Sequence, residues 1–149
     1  MQDEGKRSTE DEIRDRVASS SFHSSIGITV ERVLAGSVAL RLEAGPDHVN
    51  LQGTVHGGVL ATLADTAAGL AARSAIPPGS RHVSVNLDVQ YLAPARVGTL
   101  LATGHVVRMG RRIAFAEADV TDLDGAVLAR AQVTIAISPP PVDDAGDGL

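Results

Sequence analysis

A chain of 149 residues suits a single domain with a core of its own. With 44% hydrophobic but only 2% aromatic residues, that core has to be built from Val, Leu, Ile and Ala, and the absence of cysteine excludes disulfides, thiolate metal sites and a thiol nucleophile. A net charge of -5, with no basic stripe carrying interleaved aromatics, argues against nucleic acid as a partner.

The N-terminal stretch MQDEGKRSTEDEIRDR is charged throughout and lacks the apolar segment of a secretory leader. Residues 1–8 and the Pro-rich acidic tail 139–149 are expected to be disordered, leaving one domain over 9–138. STEDEIRDRVASSSFHSSIG predicts one short helix: Ser8 or Thr9 caps it, acids fill its first turn, and Ile13, Val17 and Phe22 form a thin apolar stripe. The period then changes to two. ITVERVLAG and SVALRLEAG predict paired strands with a tight turn at Gly36-Ser37.

After a loop over 45–55, a helix is predicted from Gly57 to about Ala75, roughly 28 Å long. It is apolar nearly all round, which marks a buried helix, and Asp65 and Arg73 interrupt it before it could span a membrane. The expectation is a soluble, cytoplasmic protein. HVSVNLDVQYL then alternates, with Val83, Val85, Leu87, Val89 and Tyr91 on one face and Ser84, Asn86, Asp88 and Gln90 on the other. GTLLATGHVVRMG, RRIAFAEADVTD and GAVLARAQVTIAIS continue the meander, with turns at Met109–Arg111 and Asp122–Gly125. An antiparallel sheet must cover its apolar face, and one long helix is the cover at hand. The predicted fold is therefore α+β, a curved antiparallel sheet wrapped around a central helix, with a short helix at the N-terminus.

Within NLQGTVHGGVLATLADTAAGLAA, the carboxylate of Asp65 is out of place, since Asp is a poor mid-helix residue and an unpaired buried charge is costly. It could be a structural acid bonded within the core. Thr62, Asp65, Thr66 and Gly69, however, share one stripe, which faces a partner or a cavity. Gly57 and Gly58 could mark no more than a loop entering a helix. The first N–H groups of a helix nevertheless lack internal partners and sit at the positive end of its dipole, which suits a carbonyl oxygen gaining charge in acyl transfer.

Gly57 and Asp65 are eight residues apart, about 12 Å along the axis, too far to serve one carbonyl. If both act, each site takes Gly57 from one subunit and Asp65 from another, and the protein is a homodimer or higher oligomer. Asn50 offers an amide for water or a carbonyl, and His56 could orient the loop. His23, His48, His82 and His105 are scattered and unconstrained, and no spacing recommends a metal site. No G-x-S-x-G elbow is present, so the acyl-transfer chemistry left is that of a carboxylate acting as nucleophile or as base on water. Arg108, Arg111 and Arg112 around Gly110 read either as a solvated hairpin or as a cradle for the phosphates of a nucleotide-bearing carrier.

The stretch NLQGTVHGGVLATLAD resembles the acyl-CoA thioesterases of the hotdog-fold superfamily, in their phenylacetate-degradation-type branch. Their pattern N-x-x-G-x-x-H-G-G-x-x-x-x-L-x-D is met by Asn50, Gly53, His56, Gly57, Gly58, Leu63 and Asp65. The likeness also takes in VSVNLDVQYLAPARVG, MGRRIAFAEADVTD and GAVLARAQVTI, covering roughly residues 25–138. It implies a hotdog fold assembled as dimers or tetramers, with active sites at the subunit interface and no cofactor beyond the CoA of the substrate. By position it implies Asp65 as nucleophile or general base, Gly57 as the N–H that polarises the carbonyl, and Asn50 as a ligand of carbonyl or water. His56 would support the loop and Ser84 would help place the water.

The same likeness puts Gly58, Asn86, Tyr91, Arg108, Gly110, Arg111 and Arg112 at positions that contact the substrate, most of them along the CoA cleft. Strict alternation places Ser84 on the strand face away from the helix, in tension with that role. A sister branch carries Glu where this chain has Asp65. Two rivals stand beside hydrolysis: a non-catalytic acyl-CoA sensor or carrier on the same fold, and an enoyl-CoA hydratase, whose usual pairing of Asp and His near a helix start is matched less well.

Overall fold

The computed structural model describes residues 7–142. Most of the two ends expected to be disordered, residues 1–6 and 143–149, thus lies outside the described residues. The single N-terminal helix of the sequence reading is in fact two, α1 (Thr9–Ser19) and α2 (Ser21–Ile26). Ser8 caps α1 by accepting the Asp11 N–H at 3.1 Å. The break falls at Ser20, whose backbone is extended and whose hydroxyl accepts the His23 N–H at 3.3 Å, because a serine can satisfy a new helix start better than it can continue an old one.

Strands β1 (Ile28–Leu34) and β2 (Ser37–Ala44) form a hairpin in which Leu34 faces Ser37. Its turn is Ala35-Gly36, one residue before the expected Gly36-Ser37, since the positive φ of 77° falls on the glycine and Ser37 already pairs in the sheet. A single 3-10 turn (Pro46–His48) interrupts the following loop. Helix α3 (Gly57–Arg73) ends two residues short of Ala75, ahead of Pro77 and Pro78. Strands β3 (Arg81–Tyr91), β4 (Gly98–Met109), β5 (Ile113–Thr121) and β6 (Val127–Ser138) complete a six-stranded antiparallel sheet in the order β1-β2-β4-β5-β6-β3.

This sheet curves around α3, the architecture that the sequence implies. The scarcity of aromatics is met by close approach. Ala64, Ala67, Ala68 and Ala72 of the helix lie against Ala102, Ala116 and Ala118 of the sheet, all buried. At Gly104 a Cβ would stand 2.3 Å from the Ala67 backbone, so helix and strand touch main chain to main chain there. No helix among the described residues is long and apolar enough to cross a membrane.

Strand β3 carries the feature that organises the site. Its pairing with β6 shifts register between Ser84 and Asn86, a bulge that reverses which side successive residues face. Before the bulge, Ser84 pairs with buried Ile135; after it, Leu87, Val89 and Tyr91 pair with buried Val133, Ala131 and Ala129. Ser84 and Tyr91 therefore both face α3, while Val83 and Val85 turn outward, 60% and 58% exposed. The strict alternation expected for this strand is corrected accordingly. The outer edge of β3 pairs with no other strand among the described residues.

Candidate active site

The helix start is held from three sides. The His56 N–H donates to the His48 carbonyl at 2.8 Å, and the His56 ring accepts the Gly58 N–H through Nδ1 at 2.8 Å, which makes His56 the N-cap of α3. The Tyr91 hydroxyl donates to the Gly57 carbonyl at 3.0 Å. The N–H of Gly57 itself has no acceptor among the described residues. A side chain at Gly57 would put its Cβ 3.1 Å from the Tyr91 ring, and one at Gly58 would meet His56 Nδ1 at 2.9 Å, so both glycines answer to packing as well as to polarity. Beside Gly57 runs a groove walled by Val55, Leu60, Leu92, Pro94 and Ala95, with no charged side chain in its lining.

Two turns along α3, half-buried Asp65 accepts the Ser84 hydroxyl on Oδ1 at 2.6 Å, and Oδ2 has no partner among the described residues. The bulge in β3 is what makes this bond possible. Thr62, a neighbour on the same polar stripe, spends its hydroxyl on the Gly58 carbonyl at 2.8 Å. One turn further on, the His82 ring lies against Gly69, with Nε2 3.9 Å from where a Cβ would be. Burial, then the charges of Arg16 and Arg73, hold His82 below the usual imidazole range against the opposing pull of Glu12.

Asn50 is spent within its own loop. Its Oδ1 accepts the N–H groups of Gln52 and Thr54 at 2.9 and 3.2 Å, and its amide nitrogen donates to Thr54 Oγ1 at 2.9 Å, leaving one amide hydrogen. His48, read from sequence as unconstrained, is bonded through both ring nitrogens, to the Gly45 N–H and the Ile26 carbonyl. Nothing in the residue pattern marks it except its place two residues before Asn50 in the loop that leads to Gly57.

The remaining residues singled out by sequence lie elsewhere in the chain. Asn86 is exposed beside the β3 bulge, next to Phe115, Gln132 and Thr134. Arg108, Arg111 and Arg112 are exposed around Gly110, which donates to the Ile113 carbonyl at 2.9 Å, and none of the three forms an ion pair among the described residues. Arg111 and Gly110 adjoin Ala75 and Ile76, past the C-terminal end of α3. Within one chain the arginine turn is thus separated from Gly57 by the length of the helix, about 25 Å.

Comparison with known proteins identifies the family and the fold. Residues 52–129, just over half of the chain, match the thioesterase superfamily. An esterase candidate from Halobacterium salinarum is 45% identical over 102 residues, 65% of this chain and 67% of its own. Human acyl-coenzyme A thioesterase 13 is 33% identical over 104 residues, 68% of this chain and 74% of its own. Among solved structures, a mutant form of the phenylacetic acid degradation protein PaaI from Thermus thermophilus superposes with a TM-score of 0.72 at 29% identity, covering 78% of this chain and 98% of that one. The chain belongs to the thioesterase superfamily and is a thioester hydrolase built on the hotdog fold.

Proposed function

We propose that the protein hydrolyses an acyl- or aryl-CoA thioester to the free acid and CoA, in a homodimer whose sites lie at the subunit boundary. The observation that carries this reading is Asp65, a mid-helix carboxylate with one oxygen bonded to Ser84 and the other without a partner among the described residues. The name of the human relative supports CoA esters as the substrate class. In the proposed reaction the Gly57 N–H takes the developing negative charge of the thioester carbonyl. The free oxygen of Asp65 either removes a proton from the attacking water or itself attacks the carbonyl carbon, giving an anhydride that water then opens. By either route the C–S bond breaks, water supplies the oxygen of the new acid, and a proton passes to the departing thiolate.

The chain also supplies a reason for two subunits. Strand β3 runs antiparallel to α3, so that Tyr91 stands beside Gly57 and Ser84 beside Asp65. Its outer edge is eleven residues long and unpaired among the described residues. A second copy adding its own β3 antiparallel across a two-fold axis near Leu87 would lay the Gly57 end of one copy beside the Asp65 end of the other. The same operation would bring the arginine turn of one copy towards the Gly57 of its neighbour, in reach of the phosphates of CoA. Asn86, Tyr91 and Gly58 would border that cleft, and Asn50 would offer its one spare amide hydrogen. A back-to-back pairing of such dimers into tetramers is open to the apolar outer sheet face, where Val107 and Phe115 are 56% and 48% exposed.

The test is thiol release from a panel of short, long and aromatic acyl-CoAs by the wild type and Asp65→Asn. Hydrolysis that falls by ~10²-fold or more in the variant, with the fold intact, supports Asp65 as the acid–base group or nucleophile. Binding of CoA esters without thiol release would point instead to a sensor or carrier, and turnover of crotonyl-CoA without thiol release to a hydratase. An active monomer would overturn the shared site.

A further inference from the structure

We propose that His48 is a positioning residue for the Gly57 N–H, a role that rests on the reading of that N–H as the donor to the thioester carbonyl. Its imidazole is used at both ends. Nδ1 accepts the Gly45 N–H at 3.0 Å, and Nε2 lies 2.6 Å from the Ile26 carbonyl, so the proton sits on Nε2 and the ring is neutral. The ring thereby ties the end of α2 to the 3-10 turn of Pro46–His48, which is closed by the His48 N–H on the Gly45 carbonyl at 3.0 Å. The carbonyl of His48 then receives the N–H of His56 at 2.8 Å, and His56 is the cap that holds Gly58. Each link is a single hydrogen bond, and together they run from the N-terminal helices to the peptide that carries the Gly57 N–H.

Packing offers this loop little else. Between Ala44 and Gly57 only Val55 is buried, so the course of the chain there is set by polar contacts. The core that α3 forms with β2, β4, β5 and β6 does not include His48, and losing the ring leaves it complete. The cost of loosening the loop falls on alignment, where a displacement of about 1 Å can remove ~10²-fold in rate.

The isosteres of histidine separate the two bonds. His48→Asn keeps an acceptor for Gly45, His48→Gln keeps a donor for Ile26, and His48→Ala keeps neither. With the fastest CoA ester of the panel, well below the unfolding temperature, His48→Ala is expected to lower kcat by ~10-fold with KM within ~2-fold, and the two isosteres to fall between it and wild type. A second readout uses carbonyl-13C benzoyl-CoA or hexanoyl-CoA, whichever the wild type turns over faster, bound to the slow Asp65→Asn variant.

The infrared carbonyl stretch of the bound ester is expected to lie below its free value, and adding His48→Ala to return it towards that value. Loss of thermal stability with kcat and the carbonyl stretch unmoved would overturn the proposal and leave His48 a structural residue. An Asp65→Asn complex that shows no lowering of the stretch would overturn the role of Gly57, and this proposal with it. Should His48→Ala not fold, the same two readouts on His48→Asn and His48→Gln decide.

Discussion

Helix α3 has two ends, and the chain treats them in opposite ways. At the C-terminal end Arg73 is 3% exposed and fully engaged, with Nε and Nη2 on the Glu12 carboxylate at 3.1 and 2.7 Å. Ser74 accepts the Gly36 N–H at 2.8 Å and donates towards the Ala71 carbonyl at 2.7 Å, which staples the β1–β2 hairpin to the helix. At the N-terminal end the clamps are as numerous, through His48, His56 and Tyr91, yet they surround a donor that they leave open. Polar groups that are all consumed mark an anchor. Polar groups that converge on an unused one leave a donor available, as the proposed reaction requires.

That contrast breaks or holds under mutation. The largest effect belongs to the anchor: Glu12→Ala strands the buried Arg73 guanidinium, an expected loss of about 2–3 kcal/mol because Glu12 is partly open to water. The thermal midpoint should fall by roughly 5–10 °C with kcat at 25 °C unchanged. A loss of rate without a loss of stability would erase the distinction between the two ends. Gly57→Ala is the mirror experiment. Its new Cβ would press on the Tyr91 ring, and turnover should drop by about 10-fold to 100-fold while the midpoint moves by at most ~2 °C. Ser84→Ala sits between the two ends and sharpens the comparison. Removing the 2.6 Å bond to Asp65 is expected to lower kcat by ~10-fold, with KM little altered, in a steady-state assay.

The layout of the fold was legible because its signals are periodic. The alternation of β2, with Val38, Leu40 and Leu42 all buried, and the apolar girth of α3 each repeat often enough to survive local exceptions. What sequence concealed are single events. The bulge at Ser84–Asn86 adds one residue to the strand, and it moves Ser84 from the face turned away from α3 to the face turned towards it. The break at Ser20 turns on one serine choosing to cap. Asp65 stood out because a carboxylate in an apolar helix is costly wherever it points. His48 did not, because its partners are two backbone groups, Gly45 N–H and Ile26 C=O, that any residue type could present. Sequence shows where chemistry is expensive and is silent where side chains bond to main chain.

The smallest effect expected is the pH dependence of the anchor, and it divides into two windows. His82 is held below the ordinary imidazole value of 6.5, first by burial and then by Arg16 and Arg73, so the folded chain favours its neutral form. Its contribution is complete above pH 6.5 and is lost as pH falls below that value through the lowered folded one, because the unfolded chain takes up a proton that the folded chain resists. For Glu12, burial alone would raise the carboxyl, but the hydrogen bonds and charges of Arg73 and Arg16 outweigh it and hold the group below 4.5. Its contribution is therefore present above pH 4.5 and is lost only as pH falls beneath it. Thermal midpoints measured from pH 7.5 downward should decline in two stages. His82→Asn should flatten the first and leave the second, whereas Glu12→Gln should flatten the second and deepen the first, because the carboxylate that opposes the lowering of His82 is gone. A first stage that persists in His82→Asn would mean that another group titrates beside the anchor, and the C-terminal end of α3 would then be less completely tied than its hydrogen bonds suggest.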